Sequence, residues 1–297
     1  MTISQSSERP LVERVFLEPQ ERRLRTGWRI GIHGLALFVA IFLFSIPAGL
    51  AQLVGAPEIV VLATGQGAFV LAVTVTVFLA RRFLDRRTIL SLGFARLNAV
   101  KDAVAGFVIA GLIMGAIFVI EWALGWLRVE SMAWTTESLF TVIIQLFVWL
   151  LIFLAGAWTE ELLCRGYWLQ NIAEGRGLVW GVIVSSVLFG LLHGLNPNVT
   201  VTAIALLVLA GVFLAVPYLY TRQLWMSIGL HLGWNYFEGN IFGFQVSGLD
   251  TFRLIRSTVS GPELITGGAF GPEAGLIVLV AMALGTLLIY FYTRGRH

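Results

Sequence analysis

The sequence predicts an all-α fold: a polytopic membrane helical bundle of about eight transmembrane helices, N-in and C-in. Three observations predict it. The 297 residues are 58% hydrophobic and 12% charged, with mean hydropathy +0.85, whereas a soluble domain carries about twice that charged share. Apolar runs of the ~20 residues needed to cross a bilayer recur along the chain. The basic residues fall in alternate connections between those runs.

Residues 1–29 are rich in Arg and Glu, with no short apolar stretch leading to a small-residue cleavage site. They read as a retained, solvated cytoplasmic tail. The membrane domain fills 30–297, with candidate spans at 30–54, 58–80, 103–126, 139–159, 178–195, 199–220, 224–243 and 273–293. The fifth and seventh carry polar residues. Orientation follows from Lys and Arg. Arg9, Arg14, Arg22, Arg23, Arg25 and Arg29 precede the first span, and Arg81, Arg82, Arg86, Arg87, Arg96 and Lys101 follow the second. Arg165, Arg176, Arg222, Arg294 and Arg296 lie beyond the fourth, sixth and last. Only Arg128, Arg253 and Arg256 fall on the other side. This spread through loops leaves no footprint for nucleic acid. The single cysteine, Cys164, excludes an internal disulfide. The outer connection 244–272 is the longest, with Gly and Pro near its end. No second domain or repeat is evident.

Three polar clusters interrupt the apolar pattern. The first is Glu160-Glu161-Leu-Leu-Cys-Arg165, at the end of the fourth span. A carboxylate at membrane depth costs about 2.5–3.5 kcal/mol on insertion scales, so it marks a functional site by default. Residues four apart share a helix face, which pairs Glu161 with Arg165. Glu160, about 100° round the helix, is left free. The second cluster is Phe189-Gly-Leu-Leu-His193; the third is His231-Leu-Gly-Trp-Asn235, with Glu238 one turn further. Small-residue spacing at Gly190 and Gly194, and at Gly229 and Gly233, suits close helix packing. One histidine in an apolar helix is commonly a packing residue, but two such clusters beside paired glutamates favour a site.

Depth can be argued from chain length. A turn near 174–177 puts Glu160 and His193 at similar distances from it, and a turn near Arg222 puts His231 about 13 Å along its helix. The three levels coincide if 160–175 projects into the cytoplasm. The fourth helix is then long, and the pocket opens to the cytoplasm.

Such a set suffices for amide hydrolysis. A carboxylate in a site poor in water can take a proton from water and return it to a leaving group. His and Asn can donate to the developing oxyanion. Alternatively, Glu160, His193 and His231 make a three-ligand zinc set with an open position, although no HExxH is present. No GxSG serine loop is found, and Ser247-Gly-Leu-Asp250 lies in an outer loop. Cys164 reads as a packing residue.

In that order on successive membrane helices, EExxxR, FxxxH and HxxxN resemble the motifs of the CAAX-protease and bacteriocin-processing (CPBP, or Abi) family. The resemblance spans about 139–243. It implies an intramembrane endopeptidase in which Glu160 is the base that activates water and Glu161 is held by Arg165 or assists. His193 would position the water or protonate the leaving amine, while His231 and Asn235 stabilise the oxyanion. Phe189 and Glu238 would support, and a metal-independent glutamate mechanism needs no cofactor. The implied partners are membrane lipid and a membrane-associated protein or peptide, CAAX-like or of bacteriocin type, in a bacterial or archaeal cell membrane. Two other readings keep the fold: a non-catalytic immunity or scaffold protein, and a transporter using buried Glu and His as relays. Oligomeric state leaves no mark on the sequence.

Overall fold

The computed structural model describes residues 10–18, 21 and 23–296; Arg9 and Arg22 of the basic tail lie outside the described residues. The first elements are α1 (Leu11–Phe16), α2 (Thr26–Phe44), α3 (Ile46–Leu53), α4 (Glu58–Leu79) and α5 (Ala99–Ala123). Strand β1 (Leu127–Met132) precedes α6 (Leu139–Glu161), which runs through a π-helical turn, Leu162–Leu169, into α7 (Gln170–Arg176). Then come α8 (Leu178–Leu192), α9 (Val201–Thr221) and α10 (Trp225–Asn235), which ends in a second π-helical turn, Tyr236–Ile241. Strand β2 (Ile255–Val259), α11 (Glu263–Thr266) and α12 (Ile277–Thr293) complete the chain.

The helices start where local chemistry directs. The Ser138 hydroxyl accepts the Thr141 amide at 3.1 Å, and the Thr200 hydroxyl accepts that of Ala203 at 3.0 Å, capping α6 and α9. Gly177, at φ +93°, separates α7 from α8, within the expected 174–177 turn. The fourth helix is as long as the depth argument requires: Leu139–Arg176 is 38 residues.

All eight expected segments are helical. Among the described residues, five helices are long and apolar enough to span a membrane. The fifth and eighth segments form the shorter α8 and α12. The seventh, α10, has 11 regular residues before it widens. Helix α8 stops where Gly194-Leu-Asn-Pro-Asn follows His193. Lipid-facing character is clear in Thr26–Leu53, whose most apolar window is only 6% buried; in water such a surface would aggregate.

Helices α5 and α10 form the tightest packing. A Cβ built on Gly229 would lie 2.0 Å from the Ala103 carbonyl, and one on Gly106 2.3 Å from that of Met226. Gly233 is similarly close to Phe107, and Gly190 to Val208 of α9. Three of the four glycines singled out by spacing therefore serve packing; Gly194 meets only its own turn. Gly229→Val should lower stability by about 3 kcal/mol, the upper range for overpacking. Gly34→Ala, with nothing within 4 Å, should shift it by less than ~0.5 kcal/mol. Thermal unfolding of the two purified variants checks the contrast.

One end of the bundle gathers the basic residues. Arg29 is fully buried and donates to Asp85 at 2.9 Å and Glu174 at 3.3 Å. Arg81 donates to Asp85 at 3.0 Å and to Gln170 at 3.0 Å, and Asn171 reaches Asp85 at 3.1 Å. Arg23 reaches Glu174 at 3.0 Å. The polar N-terminal segment is thus not wholly solvated: Arg29 is buried as a second cation beside Asp85, and Arg23 and Arg29 both meet Glu174. This cluster ties α2 and the end of α4 to α7. At the opposite end, β1 pairs antiparallel with β2 in a ribbon, bulged between Val129 and Ser131. Beside it, Asn196 donates to the Ser247 carbonyl at 3.1 Å.

Candidate active site

The three motifs converge. Glu160 Oε2 lies 3.8 Å from His193 Nε2 and 3.9 Å from His231 Nε2. Glu160 is one-quarter exposed, His193 13% and His231 6%. Helix α6 presents Glu160 and Glu161 in its last turn, and the π-helical turn that follows widens the helix beside them. Such turns recur at functional sites.

Glu161 does more than spacing implied. Its Oε1 accepts from Arg165 Nη1 at 2.8 Å and from His231 Nδ1 at 2.9 Å. Arg165, counted with the cytoplasmic cations on sequence grounds, is instead 1% exposed inside the bundle. Its second nitrogen donates to the Gly211 carbonyl on α9 at 2.7 Å. Its guanidinium lies 4.6 Å from the centroid of the Phe189 ring. Phe189 also packs 4.9 Å from the His193 ring and 5.9 Å from the His231 ring. One aromatic thus sets the positions of three polar side chains.

Both histidines are fixed in one tautomer. The Phe189 carbonyl can only accept, so His193 Nδ1, 2.9 Å away, carries the hydrogen. His231 Nδ1 faces a carboxylate and carries it too. Both Nε2 atoms therefore turn towards Glu160, as a lone pair on a neutral ring and as an N–H on a charged one, and Glu160 Oε2 is buried without a hydrogen-bond partner. The separations exceed a hydrogen bond and suit a water between the three atoms.

Asn235 lines a cavity of about 20 Å³ with Phe189, His193, His231, Trp234, Ser247 and Glu273. That is room for about one water. The expected opening at the basic end is not what the histidines adjoin: Ser247 and Glu273, from the connection at the opposite end, close this cavity. Both were missed on sequence. Ser247 sat in a loop, and Glu273 at the edge of a span, where an acid reads as interfacial. Glu238 is wholly buried. Cys164 is buried in the apolar core.

The zinc donors considered on sequence are these same three residues. Tetrahedral bonds of about 2.0–2.1 Å would draw the ligand atoms to roughly 3.4 Å from one another, closer than Glu160 Oε2 stands to either Nε2. Among the described residues no group of three or more His, Cys, Asp or Glu is arranged as a metal site.

Residues 141–237 match the family model for type II CAAX prenyl endopeptidase Rce1-like proteins. No curated protein and no solved structure matches the chain. The match contains all three motifs and stops short of Glu238 and Glu273.

Proposed function

With residues 141–237 forming an Rce1-like domain of an integral membrane protease family, we propose that the chain is an intramembrane endopeptidase. It hydrolyses a peptide bond of a membrane-associated protein or peptide, using water activated by Glu160. The observation that carries this is the approach of Glu160 Oε2 to both imidazole Nε2 atoms, 3.8 and 3.9 Å away.

The chemistry follows from the bonds. Water held between the three atoms gives a proton to Glu160 as its oxygen attacks the carbonyl. The proton passes to the leaving amine through Glu160 or His193. Glu161, beside His231 Nδ1, stabilises the imidazolium form, and only that form can donate from Nε2 to the oxyanion. The Asn235 amide is the second donor. His231→Gln should therefore lower kcat by about 10²–10³-fold with little change in KM; steady-state kinetics on a lipid-anchored peptide check this.

The direct test uses purified full-length protein in lipid nanodiscs, a lipid-anchored peptide and mass spectrometry of the products. Cleavage that persists with a metal chelator supports the glutamate mechanism. Cleavage lost with chelator and restored by zinc transfers Glu160, His193 and His231 to zinc ligation. No cleavage of CAAX-like or bacteriocin-type peptides returns the chain to the scaffold or transporter readings.

A further inference from the structure

We propose that the cleft between α2 and α7, at the basic end of the bundle, holds the headgroup of an anionic phospholipid whose acyl chains lie along α2. The proposal stands apart from the peptidase reading, since it involves neither the paired glutamates nor the histidines.

The cleft encloses about 820 Å³, and Arg25, Trp28, Gly175 and Arg176 are among the residues that form it. Its walls come from distant parts of the chain. They touch closely: a Cβ built on Gly175 would lie 2.5 Å from the Thr26 hydroxyl. Trp28 is fixed in place, because its indole stacks on Phe16 at 4.8 Å and donates to the Val15 carbonyl at 3.2 Å. Arg25 is steered too, by its Nε donating to the Leu17 carbonyl at 3.3 Å.

The charge of the cleft is unbalanced. Glu174 lines it, but Arg23, Arg29 and Arg87 already hold that carboxylate. Among the described residues, neither Arg25 nor Arg176 meets a carboxylate, and Glu18 is the one acid on the wall without a cation. Behind the wall, Arg23, Arg29, Arg81 and Arg87 face only Glu21, Asp85 and Glu174. Positive charge is therefore left over around the cleft. A guanidinium fork matches phosphate oxygens. Basic pockets between membrane helices on the cytoplasmic side favour anionic headgroups, and the excess of arginine puts this end there.

The surface of α2 says which anion. Trp28, Ile32, Leu35, Val39 and Phe42 are all exposed, and steps of four and three residues put them in one stripe. Residues 32–42 rise about 15 Å, half of the ~30 Å hydrocarbon core and so the depth of one leaflet. Tryptophan sits at headgroup level. A cationic cleft with an apolar stripe of one leaflet's depth rising from it matches a phospholipid. A free phosphate uses the cleft and leaves the stripe idle.

The test uses purified full-length protein in detergent, offered equimolar phosphatidylglycerol and phosphatidylcholine of the same chains, with native mass spectrometry reading the lipid retained. The wild type should prefer phosphatidylglycerol by about 30-fold, the product of two arginines near a headgroup. The double variant Arg25→Gln with Arg176→Gln should prefer it by less than about threefold. Gly27→Asp, which sets a carboxylate in the cleft wall where nothing lies within 4 Å, should do the same. Its thermal midpoint should hold, because an acid suits the first turn of a helix. Arg96→Gln with Lys101→Gln, exposed cations outside the cleft, should leave the preference within about twofold. Equal retention of the two lipids by the wild type overturns the proposal without any variant. So does a preference that survives both cleft variants, or one that the Arg96 and Lys101 control lowers as far. Displacement of the lipid by millimolar inorganic phosphate, with short-chain and long-chain phosphatidylglycerol bound equally, assigns the cleft to a soluble anion and overturns the lipid.

Discussion

Glu160→Gln is expected to lower the rate of peptide hydrolysis by about 10²–10⁴-fold, the range a well-placed general base contributes. The amide keeps the side chain's size but has no basic oxygen to accept the water's proton. Glu160 is one-quarter exposed, its Oε2 makes no hydrogen bond, and the imidazole nitrogens stand 3.8 and 3.9 Å from it. The folded state therefore does not depend on its charge, and thermal stability should stay within ~0.5 kcal/mol of the wild type. Glu161→Gln should behave differently, because that residue holds both Arg165 and His231.

Arg165→Met carries the second large effect. It removes the bond to Glu161, the bond to the Gly211 carbonyl and the guanidinium over Phe189. Breaking a buried ion pair from one side costs about 3–5 kcal/mol, since the other charge stays buried. The thermal midpoint of the purified protein should fall accordingly. The double variant Arg165→Met with Glu161→Met separates charge from packing. Apolar replacement of both partners is often neutral, so most of the stability should return. Activity should not, because His231 Nδ1 then lacks the carboxylate that supports its imidazolium. A double variant as unstable as the single one would show that the ion pair itself is not the source.

Much of this arrangement is legible in the sequence. Apolar runs of span length have only one conformation that satisfies their backbone in lipid, which is why every expected segment is helical. The pairing of Glu161 with Arg165 follows from helical spacing. The meeting of Glu160 with His193 and His231 follows from chain length on either side of two turns. Other features depend on contacts that spacing does not encode. The π-helical turns at Leu162–Leu169 and Tyr236–Ile241 change the hydrogen-bond register without changing residue type. The alternation Leu127-Arg128-Val129-Glu130 is too short to announce a strand, and it pairs with a segment more than 120 residues away. His231 reaches Glu161 from another helix, and Arg165 is buried by α9, so neither contact is visible along one helix. Glu273 joins the cavity only because the connection after α10 folds back over it.

The measurement that tests the central claim most directly is a single turnover in ¹⁸O-labelled water with chelator present. It uses purified full-length protein and a lipid-anchored peptide, and mass spectrometry reads the new carboxyl terminus. The account predicts one ¹⁸O atom in that carboxylate for the wild type and no product on the same timescale for Glu160→Gln. Product formed by Glu160→Gln at the wild-type rate would contradict it.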